Sequence, residues 1–221
     1  MTLKPGRKAL LDDIHDALPK ALGTSGLRRL DANQLYEAVL WAQSWRAAKD
    51  LGLTPLLRDQ HDTPATHVHL RKGPSEFTSS KGYTHLFVPQ GAGLEIHQGI
   101  YLDGTSGAKH QADLAILAGK EATRARATPT RRPRATGLRL GLEAKAYART
   151  LPINVARDFL GLRLDFAKRF ALVTSAAAST SGPLLAKHAP GVDSTFFECG
   201  PGTRTFSELR AILTRCMRGS G

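Results

Sequence analysis

Three apolar runs follow one another between residues 94 and 147: GLEIHQGIYL, HQADLAILA and LRLGLEAKAY. Each reads as a strand. The Gly-rich DGTSGAK between the first two makes a tight hairpin turn. Strands over 94–102, 110–118 and 138–147 are therefore predicted to pair as an antiparallel meander. Upstream the period is helical. Residues 7–22, RKALLDDIHDALPKAL, form an amphipathic helix weakened by Pro19. ANQLYEAVLWAQSWRAAKDLG is a second helix, capped by Asp31 and ended by Gly52. Leu35, Val39, Ala42, Trp45 and Ala48 recur at helical spacing, and Trp41 and Trp45 read as core. ATHVHLRK and YTHLFVP read as further strands. Downstream, a helix over 153–170 crosses to a short buried strand at 171–175. The helical GPLLAKHA, the strand STFFEC and a closing helix, TFSELRAILTRCMR, capped by Thr205 or Ser207, complete the chain. Consecutive strands followed by alternating units predict an α/β fold in one domain over residues 1–221, a mixed sheet with helices on both sides.

Two of these strands carry charge where a core strand should not. In a strand, alternate side chains share a face. In HQADLAIL, Gln111, Asp113, Ala115 and Leu117 lie on one face and Ala112, Leu114 and Ile116 on the other, so Asp113 is a lone carboxylate in an apolar strand. In LGLEAKAY, Gly141, Glu143, Lys145 and Tyr147 share one face. If the two strands pair, Asp113 and Glu143 converge at the sheet edge or where the strands splay. Two carboxylates and a backbone carbonyl suit Mg²⁺ or Mn²⁺, hard cations that prefer oxygen. A Lys beside them can orient a water molecule and meet charge on a phosphate. Standing alone, Glu-x-Lys is equally a same-face ion pair on a wet strand.

The chain has a formal net charge of +12, which favours a polyanionic partner such as nucleic acid. Residues 119–137, GKEATRARATPTRRPRATG, are polar, basic and Pro-containing and read as an exposed mobile loop. There Arg124, Arg126, Arg131, Arg132 and Arg134 form a candidate clamp on a sugar-phosphate backbone, with Arg157 and Arg163 on the next helix as additions. Tyr147 can stack on a nucleotide or shield the site. His67 and His69 could bind Zn²⁺ with His85 or His97, but without cysteine support alternating histidines read as polar surface. His110 and Gln111 read as a strand-end polar pair or as substrate contacts. Cys199 and Cys216 have no metal-type spacing and fit a reducing cytoplasm. No stretch is apolar enough to span a membrane.

Asp113 on one strand, Glu143-Ala144-Lys145 on the next and the αβββαβ order together resemble the PD-(D/E)xK nuclease superfamily, the restriction-endonuclease-like fold. Ala112 stands where that family often has a proline. The resemblance covers about residues 31–175 and implies a restriction-endonuclease-like αβββαβ core. It implies that Asp113, Glu143 and the Ala144 carbonyl are metal ligands, that Lys145 assists the attacking water, and that Glu37 on the preceding helix adds a further acid. The implied activity is Mg²⁺- or Mn²⁺-dependent hydrolysis of DNA, with RNA the other possible substrate, in restriction, antiphage defence or repair. A homodimer or a partner protein is compatible with it. The rival expectations are a non-catalytic nucleic-acid-binding protein of the same fold and a basic RNA-binding protein.

Overall fold

The computed structural model describes residues 6–71, 73–77, 82–147, 149–189 and 194–218. Helices α1 (Arg7–Ala17) and α2 (Ala32–Asp50) precede the strands β1 (Leu56–Asp59), β2 (Thr84–Val88), β3 (Leu94–Asp103) and β4 (Lys109–Ala118). Then come α3 (Gly119–Ala127), β5 (Leu138–Lys145), α4 (Ile153–Asp165), β6 (Phe170–Thr174), α5 (Ser181–His188), β7 (Thr195–Phe196) and α6 (Arg204–Arg218). The seven strands form one sheet in chain order, antiparallel from β1 to β5 and parallel from β5 to β7. The meander and the α4 crossover follow the sequence expectation.

Helices cover both faces. Leu35, Val39, Trp41 and Ala42 of α2, with Leu10 and Ile14 of α1 and Leu209 and Leu213 of α6, pack against Leu86, Ile96, Leu114, Leu142 and Val173. On the other face Ala122 and Ala125 of α3 and Phe159 and Leu162 of α4 pack with Ala115, Leu117, Leu138 and Leu172. The start of α2 is fixed as expected: Asp31 accepts the Asn33 and Gln34 N–H groups while Gln34 accepts the Asp31 N–H. Such a capping box contributes about 1 kcal/mol.

Several local expectations are corrected. Helix α1 stops at Ala17 with Leu18 extended, because a residue before proline is sterically kept out of the α region. The cap of α6 is Thr203, whose hydroxyl accepts the Phe206 N–H, and not Thr205 or Ser207. Of STFFEC only Thr195–Phe196 is a strand. The stretch 65–71 is not a strand, and Lys72 lies outside the described residues. The place beside β2 is taken by β1, which returns through a turn where Asp59 accepts the His61 and Thr63 N–H groups. The expected mobile loop at 119–137 begins with a helix, α3, and ends in a 3-10 turn at Ala135–Gly137.

The alternation of faces also breaks once. Leu94 and Ile96 pack on the α2 side, but Ile100 and Leu102 pack on the α4 side, although all four are even-numbered residues of β3. Likewise Ala112 joins Ala115 and Leu117, and not Leu114 and Ile116 as simple alternation predicts. The β3–β4 register is the same on both sides of the break, so both strands twist over together. Gly99, with φ of 61°, sits at that point opposite Asp113 and supplies the left-handed backbone that the twist needs.

Candidate active site

Strands β4 and β5 pair from Leu117↔Leu138 to Leu114↔Leu142, and there the pairing ends. Beyond it β5 continues with β6 alone, through Glu143↔Leu172, Ala144↔Val173 and Lys145↔Thr174. Asp113 is the first β4 residue past the last pair and lies in the resulting cleft. It is only 2% exposed, and each oxygen of its carboxylate accepts one hydrogen bond. One oxygen accepts the Ala144 N–H at 2.7 Å, and the other accepts the Gln111 side-chain amide at 2.7 Å. The carboxylate thus replaces the strand partner that Ala144 has lost.

Lys145 Nζ lies 2.5 Å from Glu143 Oε1 and 3.7 Å from Asp113 Oδ2. The Lys145 and Glu143 side chains are 29% and 20% exposed, so solvent reaches this side of the cluster. The end of β5 is held rigidly: the Thr174 hydroxyl and the Ser175 N–H both donate to the Lys145 carbonyl. Glu37, in the second turn of α2, completes the group. Gln98 donates its amide to Glu37 at 2.8 Å and accepts the Arg71 N–H with its oxygen.

The electrostatics agree with a crowded acidic cluster. Burial, and then the negative charge of Asp113, push the Glu37 carboxyl up to about 7, against the opposing pull of Gln98 and Lys145. Burial and Asp113 also raise the Glu143 pKa. Burial works to lower that of Lys145, but Asp113 and Glu143 outweigh it and raise it. The cluster therefore carries excess negative potential that one lysine does not cancel, and it has oxygen donors from three elements.

Asp113, Glu143, Lys145, Glu37 and the Ala144 backbone are thus brought together. Tyr147 is half-buried just beyond β5, with its carbonyl accepting from Ser175. Arg157 is exposed on α4. The arginine clamp does not hold in the form expected. Arg124 is paired with Glu121, Arg126 with Glu95 and Arg132 with Asp103. Arg163 is buried and donates to the Phe170 carbonyl. Arg131 and Arg134 are exposed, and the Arg134 N–H is bound by Glu121. His110 turns away to Asp165, so of the strand-end pair only Gln111 serves the cleft.

A second polar cluster was only half visible in the sequence. His97 Nε2 lies 2.9 Å and His85 Nε2 3.4 Å from Glu95 Oε2, and all three side chains are buried. This cluster could hold a metal ion. His67 and His69 take no part in it and are exposed. Burial lowers the His85 pKa to about 3 and that of His97 well below its usual value, so both rings are neutral at pH 7. Arg126 contacts both oxygens of Glu95 and balances its charge. The signal for this group was Glu95-Ile96-His97, two polar residues on one face of a buried strand. Gln98, the partner of Glu37, gave no such signal.

Comparison with protein families, with curated proteins and with solved structures gives no match.

Proposed function

We propose that this chain is a metal-dependent nuclease of the PD-(D/E)xK type that hydrolyses phosphodiester bonds in DNA. The observation that carries the reading is the meeting of Asp113, Glu143 and Lys145 with Glu37 where β4 and β5 part. Burial, and then repulsion from Asp113, raises the Glu37 and Glu143 carboxyls, and a divalent cation would relieve that repulsion and favour their charged forms. Asp113, Glu143 and the Ala144 carbonyl would hold Mg²⁺ or Mn²⁺. When bound, the ion lowers the pKa of a coordinated water and offsets charge on the phosphate.

The chain's own groups supply the rest. Asp113 is oriented by the Ala144 N–H and the Gln111 side-chain amide, which each donate to one of its oxygens. Lys145 stays protonated at neutral pH, because two carboxylates raise its pKa. Its ammonium can therefore orient the attacking water and meet the charge that builds on the scissile phosphate. Glu37 is placed to take or give a proton near neutral pH. No described helix is long and apolar enough to cross a membrane, and Cys199 and Cys216 are free thiols, in keeping with action in a reducing cytoplasm.

The test is cleavage of plasmid DNA with Mg²⁺ or Mn²⁺, with and without EDTA, by the parent and by Asp113→Ala and Glu143→Ala. Cleavage that requires the metal and both carboxylates is expected. A parent that retards DNA in a gel but yields no products with either metal would replace this reading with that of a binding protein.

A further inference from the structure

At the opposite end of β5 from the carboxylates lies an open cavity of about 880 Å³, a size that suits a nucleotide-sized ligand. Four elements bring cations to its wall. Lys120 and Arg124 come from α3, Arg139 from the start of β5, Lys168 and Arg169 from the α4–β6 corner, and Arg215 from α6. Glu121 is the lining carboxylate, and its charge is already engaged by the Arg124 guanidinium and the Arg134 N–H. The cavity is therefore strongly positive.

The fold holds the Arg169 guanidinium and the Lys168 backbone in place. Arg169 Nη1 donates to the carbonyls of Ala135, Thr136 and Leu138 at 2.9, 3.1 and 3.0 Å, which fixes one side of its guanidinium against the 3-10 turn. Ala167 and Lys168 have φ of 49° and 64°, and the Lys168 N–H closes the corner on the Arg163 carbonyl. Glycine would suit that left-handed backbone better, yet the position carries a lysine that lines the cavity.

We propose that this cavity is a phosphate-binding site, separate from the carboxylate cluster, that takes the phosphate groups of a nucleotide or of a nucleic-acid strand. Guanidinium forks match phosphate oxygens, and gathered cations in a concavity focus potential on a polyanion. Leu140, the lining residue of β5 nearest the carboxylates, is three positions from Glu143, about 10 Å at strand rise, so a single phosphate bound at Arg139 and Lys168 does not reach the carboxylates. The inference does not depend on the nuclease reading.

The experiment uses the full chain in EDTA, so that the carboxylate cluster is without metal. Inorganic pyrophosphate is titrated by calorimetry and a labelled single-stranded oligonucleotide by fluorescence anisotropy. Lys168→Gly and Arg139→Glu are compared with the parent. Each should weaken binding by about tenfold or more, the loss of one charge-assisted hydrogen bond. Lys168→Gly relaxes the left-handed backbone, so its melting temperature should equal or exceed the parent's, which separates lost binding from lost folding. Asp113→Ala should leave pyrophosphate affinity unchanged. Weakened pyrophosphate binding assigns the site to a nucleotide's phosphates, and weakened oligonucleotide binding alone assigns it to a strand. If neither probe depends on Lys168 or Arg139, the site does not exist.

Discussion

At the scale of single residues, Lys145 and Glu37 carry opposite consequences of the same crowding. Lys145 sits between two carboxylates and is proposed to act as charge builds on the phosphate. Lys145→Ala should therefore lower single-turnover cleavage by roughly 10²–10³-fold, in the range of a lost transition-state donor, while DNA affinity in Ca²⁺ stays near the parent's. Lys145→Arg should restore little, because a planar fork places charge differently from a compact ammonium. Equal loss of rate and affinity would make it a binding lysine. Glu37 is raised from 4.5 to about 7, so the folded chain holds that proton more tightly than the unfolded chain does. Its contribution favours folding below the unfolded value and is lost as pH rises through the folded one. Glu37→Gln should thus raise the melting temperature of the metal-free protein at about pH 8 and do little near pH 4. An equal gain at both pH values would remove the titration argument.

The elements show why the basic segment is not a loose clamp. Helix α3 is docked by Ala122 and Ala125, both fully buried, and by Arg126, which reaches across to Glu95 on β3. Glu95 is 3% exposed at its side chain, so removing its partner leaves a buried charge. Arg126→Ala should cost about 3–5 kcal/mol in chemical denaturation, the usual penalty for breaking one side of a buried pair. Arg134→Ala, on an exposed side chain, should cost less than about 0.5 kcal/mol. Similar losses in both would mean that α3 docks by some other contact. Gly99 is the other element-scale determinant. An alanine there would take φ of 61° with its Cβ 3.5 Å from the Gly73 carbonyl oxygen. Gly99→Ala should destabilise by about 1–2 kcal/mol through backbone strain alone. Because Gly99 lies opposite Asp113, the variant should also lower cleavage by disturbing the cleft.

For the molecule as a whole, the 31 lysines and arginines are divided between internal pairs and open surface. DNA binding should therefore weaken with salt less steeply than the 31 cations alone suggest, because Arg124, Arg126 and Arg132 already have carboxylate partners. A log–log plot of affinity against salt gives a slope near −0.9 for each phosphate neutralised. Replacing Lys168 with Ser should flatten that slope more than replacing Arg132, which lies outside the cavity wall and is paired with Asp103. The reverse ranking would place the nucleic acid on the Arg132 side, away from the cavity.

The sequence by itself determined the layered α/β plan, the meander and the identity of the acidic group. Apolar period and turn residues are local properties, and Asp113, Glu143 and Lys145 stood out because a charge in an apolar strand has no ordinary reason to be there. Glu37 was legible only through resemblance, since nothing local distinguishes it on a helix. Tertiary structure decided what depends on partners distant in sequence. The cleft exists because β5 leaves β4 to pair in parallel with β6, and no local pattern encodes where one strand exchanges neighbours. Polar, basic residues 119–127 looked unable to pack, yet they form a docked helix because Ala122 and Ala125 join the core and Glu95 of β3 lies where Arg126 can reach it. A charge seen in sequence has only a sign. Whether it meets a carboxylate, a carbonyl or open water is settled by the fold, and that decides whether it serves stability or binding.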